Sequence, residues 1–89
     1  MKEFLKKRRL DANLTQKQVA KKLELETSQY ISNFENGKSL PSPKILRKLS
    51  NIYDCDLLQM KKFYYFASLE KHKKMLLNRL NINDSEITQ

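Results

Sequence analysis

The chain has 89 residues, enough for one small domain around a modest core and too little for a second folding unit. Eighteen Lys and Arg against ten Asp and Glu give a net charge of +8, and the excess is lopsided: residues 1–50 carry 12 basic and 5 acidic side chains, residues 51–89 carry 6 and 5. A basic N-terminal half points to a polyanionic partner, nucleic acid before an anionic membrane surface. The single Cys55 and single His72 exclude an internal disulfide and a four-ligand zinc site, and no apolar run approaches the roughly 18–20 residues of a membrane span. A reduced, cytoplasmic protein with no cofactor and no metal is expected.

Strand signals are nearly absent, and Lys, Leu, Glu and Gln dominate, so the expected class is all-α. A first helix is expected from Lys2 to Ala12 with Phe4, Leu5 and Leu10 turned inward, and Asn13 follows it as a residue that tolerates the left-handed position after a helix. TQKQ, residues 15–18, reads as a capping box in which the Thr15 hydroxyl accepts from the Gln18 amide while the Gln18 side chain reaches back to the Thr15 amide. Behind it Val19, Ala20 and Leu23 form one apolar stripe. After Glu24-Leu25-Glu26, Thr27 is placed to cap a third helix whose inward residues are Ile31 and Phe34. Its outward positions are Ser28, Gln29, Ser32 and Asn33. An ordinary exposed face in so basic a protein would carry Lys and Glu. Ser and Asn are poor helix-interior formers, so their concentration on one face asks for another reason. Gly37, the only glycine in the chain, is suited to end that helix with positive φ.

A fourth helix begins at SPKILRKLSNIY, with Ser42 as N-cap, Pro43 at the first helical position, and Ile45, Leu46, Leu49, Ile52 and Tyr53 inward. Asp56 with Gln59 reads as a second capping box, opening a fifth helix that carries Leu57, Met60 and Phe63; Cys55 before it reads as a small buried hydrophobe. From residue 63 onward the pattern is that of an amphipathic helical extension, with Phe66, Leu69, Leu76 and Leu80 able to share one face. The expected organisation is a unit over residues 1–62, an extension over 63–80 that serves dimerisation, and a polar, fraying tail over 81–89.

LTQKQVAKKL, QYISNFENGK, LPSPKILRKLSNIYDC and DLLQM resemble, in order and spacing, the five-helix DNA-binding domain of the phage repressor and Cro family, the Xre-type helix-turn-helix regulators. The resemblance covers roughly residues 4–62. It implies that Ser28, Gln29, Ser32 and Asn33 lie where these proteins read base edges, with Gln29 best suited because a primary amide bonds bidentately to adenine. Gln16 resembles the family's phosphate-binding glutamine at a helix start, with Lys17 and Thr27 near it. Asn36 and Lys38, around Gly37, resemble its backbone clamp. Arg9 and Glu35 match a buried ion pair between the first and third helices, with Arg9 also a candidate phosphate contact. Two positions depart from the pattern: Glu24 and Asp54 stand where glycine is usual, and ELETS is one residue longer than the typical turn.

The expected function is therefore a sequence-specific regulator of transcription that binds double-stranded DNA, a repressor acting as a homodimer through residues 57–80 on a palindromic operator. Lys6, Lys7, Arg8 and Lys44 would add contacts to phosphate without sequence information. The alternative is an antitoxin or controller protein whose C-terminal helix binds a protein partner while the N-terminal unit regulates its own gene. Membrane-surface binding is the weaker third reading. An enzyme is not expected: the only His and the only Cys lie 17 positions apart with no supporting pattern, and one glycine makes no phosphate-cradling loop.

Overall fold

The computed structural model describes residues 3–87. Five helices follow one another: α1 (Phe4–Asp11), α2 (Gln16–Lys22), α3 (Gln29–Asn36), α4 (Pro43–Ile52) and α5 (Leu57–Leu80), and a 3₁₀ turn spans Asp84–Glu86. No strand occurs among the described residues, which makes the chain all-α. The core gathers one side of each helix: Leu5 from α1, Val19 and Ala20 from α2, Ile31 from α3, Leu46 and Leu49 from α4, Met60 and Phe63 from α5. Phe4 stacks on Phe63 with ring centroids 5.3 Å apart, fastening the first helix to the last. No helix among the described residues is long and apolar enough to cross a membrane.

The starts of α2 and α4 follow their sequence signals, and that of α5 does so only in part. Thr15 and Gln18 form both bonds of the capping box, Gln18 N–H donating to Thr15 Oγ1 at 3.1 Å and Thr15 N–H to Gln18 Oε1 at 2.8 Å. Ser42 Oγ accepts from the Ile45 amide at 3.2 Å ahead of Pro43. Asp56 Oδ1 accepts from the Leu58 amide at 3.0 Å instead of from the Gln59 amide, and neither bond of the expected Asp56–Gln59 box forms. Gln59 Oε1 instead accepts from the Cys55 thiol at 3.5 Å, because a buried S–H has few other acceptors.

All five helices end the same way. A residue in the left-handed region follows each one: Asn13, Glu24, Gly37, Asp54 and Asn81, with φ of 58°, 59°, 75°, 49° and 56°. In each case the next amide reaches back five residues to a helical carbonyl, Leu14 to Arg9, Leu25 to Ala20, Lys38 to Asn33, Cys55 to Ser50 and Ile82 to Leu77, the Schellman arrangement. Left-handed φ is tolerated by Asn and Asp, whereas a long side chain such as that of Glu24 is strained there by about 1–2 kcal/mol.

One further expectation is corrected. Leu10 is 54% exposed rather than inward, because the buried side of α1 is set by Leu5 and Arg9, four residues apart. The fifth helix and the extension are one uninterrupted helix of 24 residues, with no Pro, Gly or capping residue at residue 62 to break it. Where the sequence offers only a polar tail, Asn83 caps a 3₁₀ turn and Lys73 Nζ bridges to Asp84 Oδ2 at 3.0 Å. Lys2, the expected start of the first helix, lies outside the described residues, as do Met1, Thr88 and Gln89.

Candidate nucleic-acid interface

One carboxylate fixes how α1, α2 and α3 meet. Glu35, near the end of α3, accepts from Arg9 Nε at 2.7 Å and from Arg9 Nη2 at 3.2 Å, and also from Gln16 Nε2 at 3.1 Å. Arg9 Nη1 donates to the Leu14 carbonyl at 3.0 Å. Arg9 and Glu35 are each only 8% exposed, so the pair is fork-like, desolvated and anchored to a backbone carbonyl. The bond to Glu35 raises the Arg9 pKa further above its ordinary value, outweighing the effect of burial. Three of the five guanidinium N–H groups are engaged by the fold. With Arg9 so buried, the contacts it makes are those of the fold.

Gln16 is held by the same carboxylate at the first position of α2, half-buried. Beside it Lys17 is exposed. Thr27 Oγ1 accepts from the Gln29 amide at 3.1 Å, so it caps the entry to α3 although regular helix begins two residues later. Ser28 is half-buried in the αR region at that entry.

The outward face of α3 is laced by two side-chain bonds one turn apart. Gln29 Nε2 donates to Asn33 Oδ1 at 3.0 Å, and Asn36 Nδ2 donates to Ser32 Oγ at 3.2 Å. Each bond uses one N–H of a primary amide, so the second N–H and the carbonyl oxygen of Gln29 and Asn36 are not taken up by these two bonds. The expected base-reading residues are therefore brought together on one helix face. Opposite them, Ile31 and Glu35 are buried. Tyr30, 48% exposed beside Gln29, is absent from the expected set; its signal is an aromatic at a position the inward spacing of Ile31 and Phe34 does not call for.

The end of α3 differs from the other four helix ends. At those, the residue after the left-handed one is apolar and at least half-buried, Leu14, Leu25, Cys55 and Ile82, so the chain is folded back onto its own helix. After Gly37 comes Lys38, exposed. A Cβ placed on Gly37 would meet nothing within 4 Å. This glycine therefore serves the backbone angle alone, and the main chain at Asn36, Gly37 and Lys38 stands open to a close approach. A polar helix face followed by an open, basic backbone corner can lie along a groove and its flanking phosphates.

A helix-turn-helix family model matches residues 5–59, more than half of the chain. The chain belongs to the helix-turn-helix family of the phage repressor and Cro type. The general role of this helix-turn-helix protein is that of a DNA-binding regulator of transcription. No curated protein and no solved structure matches the chain significantly. The helix-turn-helix proper is α2 and α3, joined by residues 23–28 and locked by Glu35 through Gln16.

The other basic residues expected at phosphates are in varied states. Lys6, Lys7 and Lys44 are exposed. Arg8 is partly committed, with Nη2 3.2 Å from Asp11 Oδ2 and its guanidinium 5.8 Å from the centre of the Phe4 ring.

Proposed function

We propose that this helix-turn-helix protein is a repressor that reads a palindromic operator, with α3 in the major groove. Gln29, Asn33, Ser32 and Ser28 read base edges. Gln16, Lys17, Thr27, Asn36 and Lys38 hold phosphates, and Arg9 is left to the fold. The observation that carries this reading is the amide-and-hydroxyl face of α3 running into the open Gly37 corner. Charged residues there would hold any DNA; amides paired with each other present fixed donor and acceptor positions, which discriminate bases.

The protein acts as a homodimer through residues 57–80. Tyr65, Leu69, Leu76 and Leu80 are 59%, 49%, 40% and 62% exposed and lie on the side of α5 away from Met60 and Phe63, at spacings of four and seven residues. An apolar stripe of that length is seldom left to solvent. The same stripe also fits the alternative in which a different protein partner covers it, as for an antitoxin or controller. Sedimentation of the isolated chain separates the two: a concentration-dependent dimer supports the homodimer, and a strict monomer supports the other partner.

The testing experiment is fluorescence anisotropy with the duplex immediately upstream of its own gene and a shuffled duplex of equal length, at two salt concentrations. A preference that survives the higher salt, with two half-sites about 10 base pairs apart centre to centre, supports the reading. Equal binding to both duplexes that salt erases overturns sequence-specific recognition at that site.

A further inference from the structure

Beside the Gly37 corner lies a groove of about 710 Å³ between the end of α3 and the middle of α5, within the range of about 300–1,000 Å³ common for ligand sites. Its floor is apolar: Phe34 and Leu40 on one side, Phe63, Phe66, Ala67 and Leu69 on the other. Its far rim is basic, with Lys71, Lys73 and Lys74. Glu35 also lines it, but that carboxylate is committed to Arg9 and Gln16. The acid left at the rim is Glu70, against three lysines.

The rim already holds one carboxylate, because Lys73 is bridged to Asp84 of the tail turn. Lys71 and Lys74 are exposed and make no ion pair among the described residues. A DNA backbone would satisfy these lysines but not the aromatic floor, which gains only from apolar side chains. Leu69 belongs both to the exposed stripe of α5 and to the edge of the groove, whereas Phe63 and Ala67 lie on a different side of the helix, so a second copy lying on that stripe reaches the groove's edge and leaves Phe63 and Ala67 to another occupant. Apolar floor and basic rim together select an amphipathic peptide segment with acidic flanks.

We propose that this groove binds an acidic, amphipathic segment of a partner protein, and that its occupancy weakens DNA binding. The link follows from the shared wall: Asn36 and Gly37 line the groove and also form the corner assigned to the phosphate backbone. A carboxylate-bearing segment seated there places negative charge beside that corner and repels the polyanion. The docking surface stands independently of DNA recognition; the regulatory link rests on the proposed operator binding.

The test is a selection of random 12-residue peptides displayed on phage against the immobilised full chain, carried out in parallel on the Lys71→Glu/Lys74→Glu variant. Both substituted residues are exposed, and circular dichroism confirms that the variant is folded. The expected result is enrichment, on the wild type alone, of peptides with Leu, Ile or Phe anchors flanked by two or more Asp or Glu. A synthesised winner should bind the variant at least tenfold more weakly, shift the amide resonance of Gly37 and the methyl resonance of Ala67, and raise the apparent Kd for the upstream duplex. No enrichment, or enrichment indifferent to the charge reversal, overturns the docking site. Loss of affinity for a random duplex in the variant assigns the lysines to DNA backbone, and loss of self-association assigns the groove to a second copy; either overturns the proposal. A peptide that binds the groove without changing DNA affinity overturns the regulatory link. If the peptide binds and no duplex does, it is the operator reading that falls while the groove stands.

Discussion

Replacing Glu35 by Gln tests the junction of the three N-terminal helices. The substitution keeps the shape and one acceptor oxygen but removes the charge opposite Arg9, whose residue is 8% exposed and whose guanidinium donates twice to the carboxylate at 2.7 and 3.2 Å. A buried charge left without its partner costs about 3–5 kcal/mol. The Arg9 bond to the Leu14 carbonyl persists, which places the expected loss at the lower end, about 3 kcal/mol. For a domain of this size that lowers Tm by roughly 12–24 °C, read by thermal and urea denaturation. The Arg9→Met/Glu35→Leu double variant removes both charges together and should recover most of the loss, since apolar replacement of a whole buried pair is often neutral or better. The incomplete part of the recovery belongs to Gln16, which loses its acceptor. A loss under 1 kcal/mol for Glu35→Gln, or a double variant as unstable as the sum of the singles, would refute the account of a desolvated pair.

Gln29→Ala should cost about 1–3 kcal/mol at one base step and relax preference there, whereas Lys38→Ala should weaken all duplexes alike and reduce the slope of log K against log salt by about 0.9; titrations of a set of single-step operator variants at several salt concentrations separate the two. Gly37→Ala, which meets no steric clash, should cost about 1–2 kcal/mol through its left-handed φ alone, with Gly37→Asn milder, while Glu24→Gly should stabilise by up to about 1 kcal/mol; urea midpoints check all three. Burial raises the pKa of the Cys55 thiol and the Tyr53 phenol above their ordinary 9.0 and 10.0. The folded chain therefore holds protons that the unfolded chain has released, and stability should fall as pH rises through and beyond these values. Denaturation at pH 8 and pH 10.5 reads this, and the Tyr53→Phe/Cys55→Ala variant should flatten the decline.

Local signals carried most of the fold. Thr15 with Gln18, Ser42 with Pro43, and the left-handed Asn13, Gly37 and Asp54 are decided by residues within one turn of each other, so the sequence shows them directly. Gln59 escaped the same logic because a neighbouring thiol competes for its oxygen. Leu10 escaped because which side of a short helix faces inward depends on what it packs against, and the buried side of α1 includes Arg9. The Arg9–Glu35 pair spans 26 positions and was reachable only through the family resemblance. The third acceptor bond, from Gln16, has no sequence signal at all. Nor does the groove, which arises where residues 34–40 come beside residues 63–74.

The unbroken α5 has 24 residues and is about 36 Å long at 1.5 Å per residue. Its first turns are set by Met60 and Phe63 in the same core that takes Ile31 of α3. In a dimer joined along the far half of α5, the distance and twist between the two reading helices are written in residues of that helix. One inserted residue turns the joined face by about 100°, whereas seven shift it by about 10 Å and leave its facing nearly unchanged. In the proposed dimer, half-site spacing is a property of helix phase, and steps of a heptad in α5 would move it without altering any of the side chains proposed to read bases.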